Sequence, residues 1–145
     1  TAGPPPGPRD RALAMIERCM NLPGIEELDG FAYFAAVRGM AAHRLGDRED
    51  VEKWMETAIA AQKGGVVDVL SLAFRAMSRS QDGRMSEAKS DLEKAKRLYE
   101  KLGFRPSKGS QSDWLNKLIA RIALKEAMEL IDGNSKALEE LGAEE

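Results

Sequence analysis

The sequence predicts an all-α protein: a stack of two antiparallel helix pairs, with an N-terminal flanking helix and a C-terminal capping helix. Small and apolar residues recur three and four positions apart, which is the spacing of one helix face. The pattern repeats after 37 residues, and breaks rich in Gly or Pro separate the segments. With 145 residues, 43% hydrophobic and 32% charged, the chain is long enough for one domain with a buried core.

The two helix pairs have the same intervals between their expected core positions. Gly39 is followed by Val51, Met55 and Ala58 at intervals of 12, 4 and 3 residues. Ala76, Ala88, Leu92 and Ala95 have the same intervals, 37 residues later. Small residues let two helix backbones approach closely, and Met55 would fill the space beside them. We therefore expect one repeat at about residues 31–65 and a second at about 66–103, within a single domain spanning 9–141.

The N-terminal region precedes the repeats. Residues 1–8 contain three consecutive prolines and are expected to be a linker, because proline removes the amide donors that a helix needs. A helix is predicted over 9–21, with an apolar stripe of Ala12, Met15, Ile16 and Cys19 that Pro23 and Gly24 end. Cys19 is expected to pack inertly in this stripe. The helix is either the remnant of a preceding repeat or a cap on the array.

The repeat helices are predicted over residues 31–45, 48–63, 66–81 and 85–102, after a short turn at 25–28. Asp29 is expected to cap the first of these helices, and Asp47 with Asp50 the second. Gly46 suits the left-handed conformation that ends a helix. The opening of the third helix, residues 66–69, also has the composition of a strand, but no partner strand is predicted elsewhere.

The C-terminal region is predicted to close the stack. Residues 104–112 are a loop by composition, and Ser112 is expected to cap a helix over 113–131. Polar side chains recur every four residues along this helix, at Asp113, Lys117, Arg121, Lys125 and Glu129. A polar outer stripe keeps the end of a helical array soluble, so we interpret this helix as the cap. A short helix over 135–141 and a frayed acidic tail at 142–145 follow.

Residues 31–102 resemble the tetratricopeptide repeat family. The resemblance depends on Gly39, Leu45-Gly46-Asp47, Val51, Met55 and Ala58, and then on Ala76, Gly83, Ala88, Leu92 and Ala95. The repeat is three residues longer than the family's usual period, and no proline closes either copy. The resemblance implies a right-handed stack of helix pairs whose concave face binds a protein segment.

A looser resemblance concerns three helical segments of this chain. Residues 73–77, 113–115 and 126–131 look like the C-terminal helical parts of large bacterial serine/threonine protein kinases, although the kinase motifs themselves are not present. This implies an alternative function, a regulatory or oligomerising appendage of a bacterial signalling enzyme. The first expectation remains a non-catalytic scaffolding module for protein–protein interaction.

The expected binding site is the face formed by the first helix of each pair. In the register of the family it contains Tyr33, Val37, Met40 and His43 from one helix and Leu70, Phe74 and Met77 from the other. A face rich in apolar side chains and methionine favours an amphipathic helix, or a second copy of the chain in a homodimer. The alternative is that the last helix of the chain already fills this face.

Catalysis is not expected, because the residue types that chemistry needs do not cluster. His43 is the single histidine and Cys19 the single cysteine, so we expect no catalytic residue, no metal site and no bound cofactor. Basic residues are mixed with acidic ones and lack interleaved aromatics, which argues against nucleic acid. No apolar run is long enough for a membrane span, and no signal peptide is evident, so we expect a cytoplasmic protein.

Overall fold

The computed structural model describes residues 3–62, 64–103 and 111–133, and for residues 111–114 it describes the backbone alone. Within these residues the chain forms helices and no strand, which confirms the all-α prediction. The helices are α1 (Pro8–Met20), α2 (Phe31–Leu45), α3 (Arg48–Gln62), α4 (Val66–Gln81), α5 (Met85–Leu102) and α6 (Gln111–Asp132), and a 3-10 turn at Ile25–Glu27 follows α1.

The predicted bounds of the four repeat helices agree with the structure to within one residue, and the valine-rich start of α4 is helical. Helix α6 begins two residues earlier than expected, so Ser112 lies inside the helix and its predicted capping role is wrong. The remainder of the predicted loop at 104–110, the short helix over 135–141 and the acidic tail at 142–145 lie outside the described residues.

The turn between α2 and α3 follows from its sequence. Gly46 ends α2 with a φ of 75°, a left-handed conformation that glycine adopts without steric cost. The Asp47 carboxylate accepts a hydrogen bond from the backbone N–H of Asp50 at 3.1 Å, and so caps the start of α3 as predicted. At the start of α2 the capping position is occupied by Gly30, with a φ of 90°, so the capping role expected of Asp29 is wrong.

All the repeated core positions are buried. Gly39, Val51, Met55 and Ala58 lie in the interior of the first pair, and Ala76, Ala88, Leu92 and Ala95 in the interior of the second. A Cβ atom added at Gly39 would lie 2.7 Å from Cε of Met55. The expected close approach of α2 and α3 at Gly39 is therefore confirmed.

Helix α4 is the centre of the molecule. It packs against α2, α3, α5 and α6, and eleven of its 16 residues are buried as a result. Helix α6 packs more extensively on α4 than on α5. Its inner side contributes Ala120, Ala123, Leu124, Ala127 and Met128 to the same apolar cluster as the buried side chains of α4.

Helix α1 lies outside this core. None of its residues is buried, Met15 is 64% exposed, and Cys19 is exposed as well. The prediction that Cys19 packs inertly in an apolar stripe is therefore wrong. The contact of α1 with α2 includes an ion pair between Glu17 and Arg38, with 3.3 Å between Oε1 and Nη2.

Candidate interaction surface

We call the seven residues expected to bind a partner the α2–α4 face. Its α4 half is enclosed: Leu70, Phe74 and Met77 are only 3%, 4% and 3% exposed. They belong to one apolar cluster with the inner side of α6, which packs on α4. These three residues therefore lie in the core, and α6 packs on the helix that carries them.

The α2 half of the face is partly open, since Tyr33, Val37, Met40 and His43 are all half-buried. His43 joins the two halves by packing its ring edge-on against Phe74, with centroids 5.3 Å apart and an angle of 83° between the rings. Burial, together with the charge of Arg44, lowers the pKa of His43, although the carboxylate of Glu126 on α6 opposes this. The neutral imidazole is therefore favoured.

A buried group of ion pairs joins α4 to α5. Asp91 on α5 has a side chain only 1% exposed, and its two oxygens accept hydrogen bonds from Arg75 at 2.8 and 2.9 Å. Arg79, one turn along α4, donates a further bond to the same carboxylate at 2.9 Å. The guanidinium groups of Arg75 and Arg79 therefore donate three hydrogen bonds to one buried carboxylate. Their positive charges offset the negative charge of Asp91, which is not accessible to water.

The same group of ion pairs continues to α3. Arg79 donates two hydrogen bonds to the Glu52 carboxylate, at 2.7 and 2.9 Å, and Arg84 donates another at 2.8 Å. Arg75, Arg79 and Arg84 are thus all paired with carboxylates within the fold. The sequence offered only one signal for this arrangement, the one-turn spacing of Arg75 and Arg79 on α4.

Glu52 makes the stability of the fold dependent on pH. Burial raises the pKa of its carboxyl, but the hydrogen bond and charge of Arg79 and the charges of Arg84 and Arg75 outweigh burial, so the pKa lies below the usual 4.5. A carboxyl with a lowered pKa stabilises the fold above its unfolded pKa, and this contribution is lost as the pH falls through the folded value.

We therefore expect the free energy of unfolding to decrease on acidification from about pH 6 to about pH 3, and to decrease less in a Glu52→Gln variant, which has no charge to lose. Urea unfolding at intermediate pH values measures both profiles. Parallel profiles for the two proteins would contradict the role given to Glu52.

The described residues also line a small, partly open cavity of about 10 Å³, formed by Val66, Val69, Tyr99, Leu102, Gly103, Lys117 and Ala120. This volume holds roughly one water molecule. No group of three or more His, Cys, Asp or Glu side chains in the described part of the chain is arranged to hold a metal ion.

The outer side of α6 departs from the predicted polar stripe. Lys125 and Glu129 are exposed as expected, whereas Lys117 and Arg121 are half-buried. Large apolar side chains are half-exposed on the same helix: Leu115 at 50%, Ile122 at 51% and Leu130 at 49%. Helix α6 is therefore apolar on its inner side and partly apolar on its outer side.

No protein-family model, curated protein or solved structure matches this chain. Among the described residues, none of the helices combines the length and the apolar character that crossing a membrane requires.

Proposed function

We propose that the chain is a non-catalytic protein-interaction module, a tetratricopeptide-like stack that binds an amphipathic helix on its α2–α4 face. The observation that carries this proposal is α6 itself. Its inner side is an apolar stripe. The residues of this stripe, Ala120, Ala123, Leu124, Ala127 and Met128, are at most 3% exposed. The surface of α4 that helps to form the face thus already packs against a helix of this chemistry.

The composition of the stripe indicates what a partner helix needs. Its three alanines leave room for close approach, and Leu124 and Met128, one turn apart, supply the larger side chains. Burying a leucine or methionine side chain contributes about 1.5–3 kcal/mol, so these two anchors provide most of the attraction. A partner helix is expected to place two such residues four positions apart, flanked by small residues.

A non-catalytic role agrees with the state of the charged groups. The charged side chains Arg75, Arg79, Glu52 and Asp91 pair with one another, so their charges already hold α3, α4 and α5 together.

The proposed compartment is the cytoplasm, whose reducing conditions suit the exposed thiol of Cys19. A second copy of the chain carries the same α6 helix, so exchange of α6 between copies is the form that self-association would take.

A synthetic peptide of residues 111–133 tests this proposal. We expect it to bind a full-length Leu124→Glu/Met128→Glu variant, in which charged side chains remove the chain's own α6 from the core. Fluorescence anisotropy of the labelled peptide measures the affinity. Adding Met40→Glu on the half-buried α2 side of the face should weaken binding roughly tenfold, because it places a charge against an apolar stripe.

Two controls accompany this measurement. Lys89→Glu, at an exposed position on α5, should leave the affinity unchanged. A peptide with glutamate at positions 124 and 128 should not bind. If the native peptide fails to bind a variant that keeps its helical circular dichroism, the α2–α4 face is not a helix-binding site.

A further inference from the structure

We infer that α6 is an internal competitor: it packs on α4, which forms half of the helix-binding face, and must leave before a partner helix with the same stripe binds. This inference rests on the proposed function and adds its regulation.

The packing of α6 distinguishes it from the helices of the stack. Helix α4 follows the first pair, and it packs more extensively on α3 than on α2. Helix α6 follows the second pair, but it packs mainly on α4 and much less on α5. If α6 simply continued the stack, α5 would be its main neighbour. Instead α6 lies against the first helix of the preceding pair, where a ligand helix would lie.

The attachment of α6 differs from that of its neighbours. Helices α3, α4 and α5 are joined by buried ion pairs centred on Asp91 and Glu52. The contacts of α6 with α5 include an ion pair between Lys96 and Asp132, with 3.2 Å between Nζ and Oδ2 and both side chains partly exposed. Partly exposed ion pairs contribute little to stability. The inner side of α6 adds apolar burial on α4, which another helix can reproduce.

The outer side of α6 provides a second, independent observation. A helix that permanently closes a helical array has a polar outer side. Here Leu115, Ile122 and Leu130 are each about half exposed. Because α6 presents apolar side chains on both sides, it is suited to leave one apolar surface and pack against another.

Competition within one chain has a measurable consequence. The apparent affinity of a partner is reduced by the fraction of molecules in which α6 has left the face. The labelled peptide of residues 111–133 is therefore expected to bind the full-length native chain at least roughly tenfold more weakly than the full-length Leu124→Glu/Met128→Glu variant. Lys125→Glu, a charge change at an exposed position of the same helix, is the control and should bind like the native chain.

The possible results separate the inference from the proposed function. Equal binding to the native chain and the double variant would overturn internal competition while leaving helix binding intact. An equal gain in Lys125→Glu would overturn it too, because a general loosening of α6 would then explain the higher affinity. Binding to neither protein would remove the proposed function as well.

Circular dichroism shows whether the double variant keeps its fold. If it loses helicity beyond that of α6, the milder Leu124→Ala/Met128→Ala variant replaces it. A smaller gain in affinity is then expected in the same direction, and the absence of any gain would overturn the inference.

Discussion

Replacing Asp91 by alanine is expected to lower the free energy of unfolding by about 3–5 kcal/mol, the usual cost of removing one partner from a buried ion pair. The variant leaves Arg75 and Arg79 without their shared carboxylate, although both side chains are only 13% exposed, and Arg79 keeps only its pairing with Glu52. Water cannot readily solvate these charges in place of Asp91. Urea unfolding monitored by circular dichroism measures the loss.

Asp82 offers a matched control for this prediction. It also pairs with an arginine, with 2.7 Å between its Oδ1 and Nη1 of Arg48, but the two side chains are 46% and 49% exposed. The Asp82→Ala variant should therefore cost less than about 1 kcal/mol. Equal losses in the two variants would show that the burial of Asp91 does not determine its contribution.

A third variant separates charge pairing from packing. Replacing Arg75 by methionine and Asp91 by leucine removes one charge of each sign, keeps much of the side-chain volume and leaves Arg79 paired with Glu52. Such replacements are often neutral or stabilising, so we expect most of the stability lost in Asp91→Ala to return. If the stability does not return, the attraction between the buried charges exceeds the cost of removing them from water.

Leucine at position 39 is expected to destabilise the first helix pair by about 1–3 kcal/mol through overpacking. The first added atom alone would lie 2.7 Å from Cε and 2.9 Å from Sδ of Met55, which is fully buried. Alanine at this position adds only that atom and gains about 1 kcal/mol of helix propensity, so its net effect should be much smaller. A Gly39→Leu variant that melts at the native temperature would contradict the close approach.

The second helix pair suggests how to relieve this clash. Its residues at the positions equivalent to Gly39 and Met55 are Ala76 and Leu92, and both are buried. The Gly39→Ala/Met55→Leu variant transfers this combination to the first pair and removes the methionine end that a Cβ at position 39 would meet. We expect the double variant to be at least as stable as Gly39→Ala alone, and a lower melting temperature would show that the two pairs are not equivalent in packing.

The parts of the fold that the sequence predicted are those governed by local spacing. The bounds of α2 to α5 and the eight repeated core positions follow from helix periodicity and from turn glycines such as Gly46, which act within one or two turns of chain. The pairing of Asp91 with two arginines was not predicted, because opposite charges in a sequence do not reveal which of them meet.

The predictions for the two ends of the chain were less accurate for a physical reason. The apolar stripe of α1 suggested that Cys19 is buried, but a stripe is buried only where a complementary surface exists. On α6 the apolar residues extend around most of the helix, so periodicity could not indicate which side faces inward. The predicted site was chosen from the register of the two helices, and that register does not reveal that Leu70 is buried by the packing around α4.

The central position of α4 affects how the molecule comes apart. In a linear array each unit touches only its neighbours, so the end units can unfold while the others remain folded. Here α4 supports helices from the first pair, from its own pair and from the C-terminal segment. Separating any of them exposes apolar surface of the same helix, so the free-energy costs are shared across the chain. Despite its internal repetition, the unit of α2 to α5 is therefore expected to unfold cooperatively, with α1 and α6 as the parts that can detach from it.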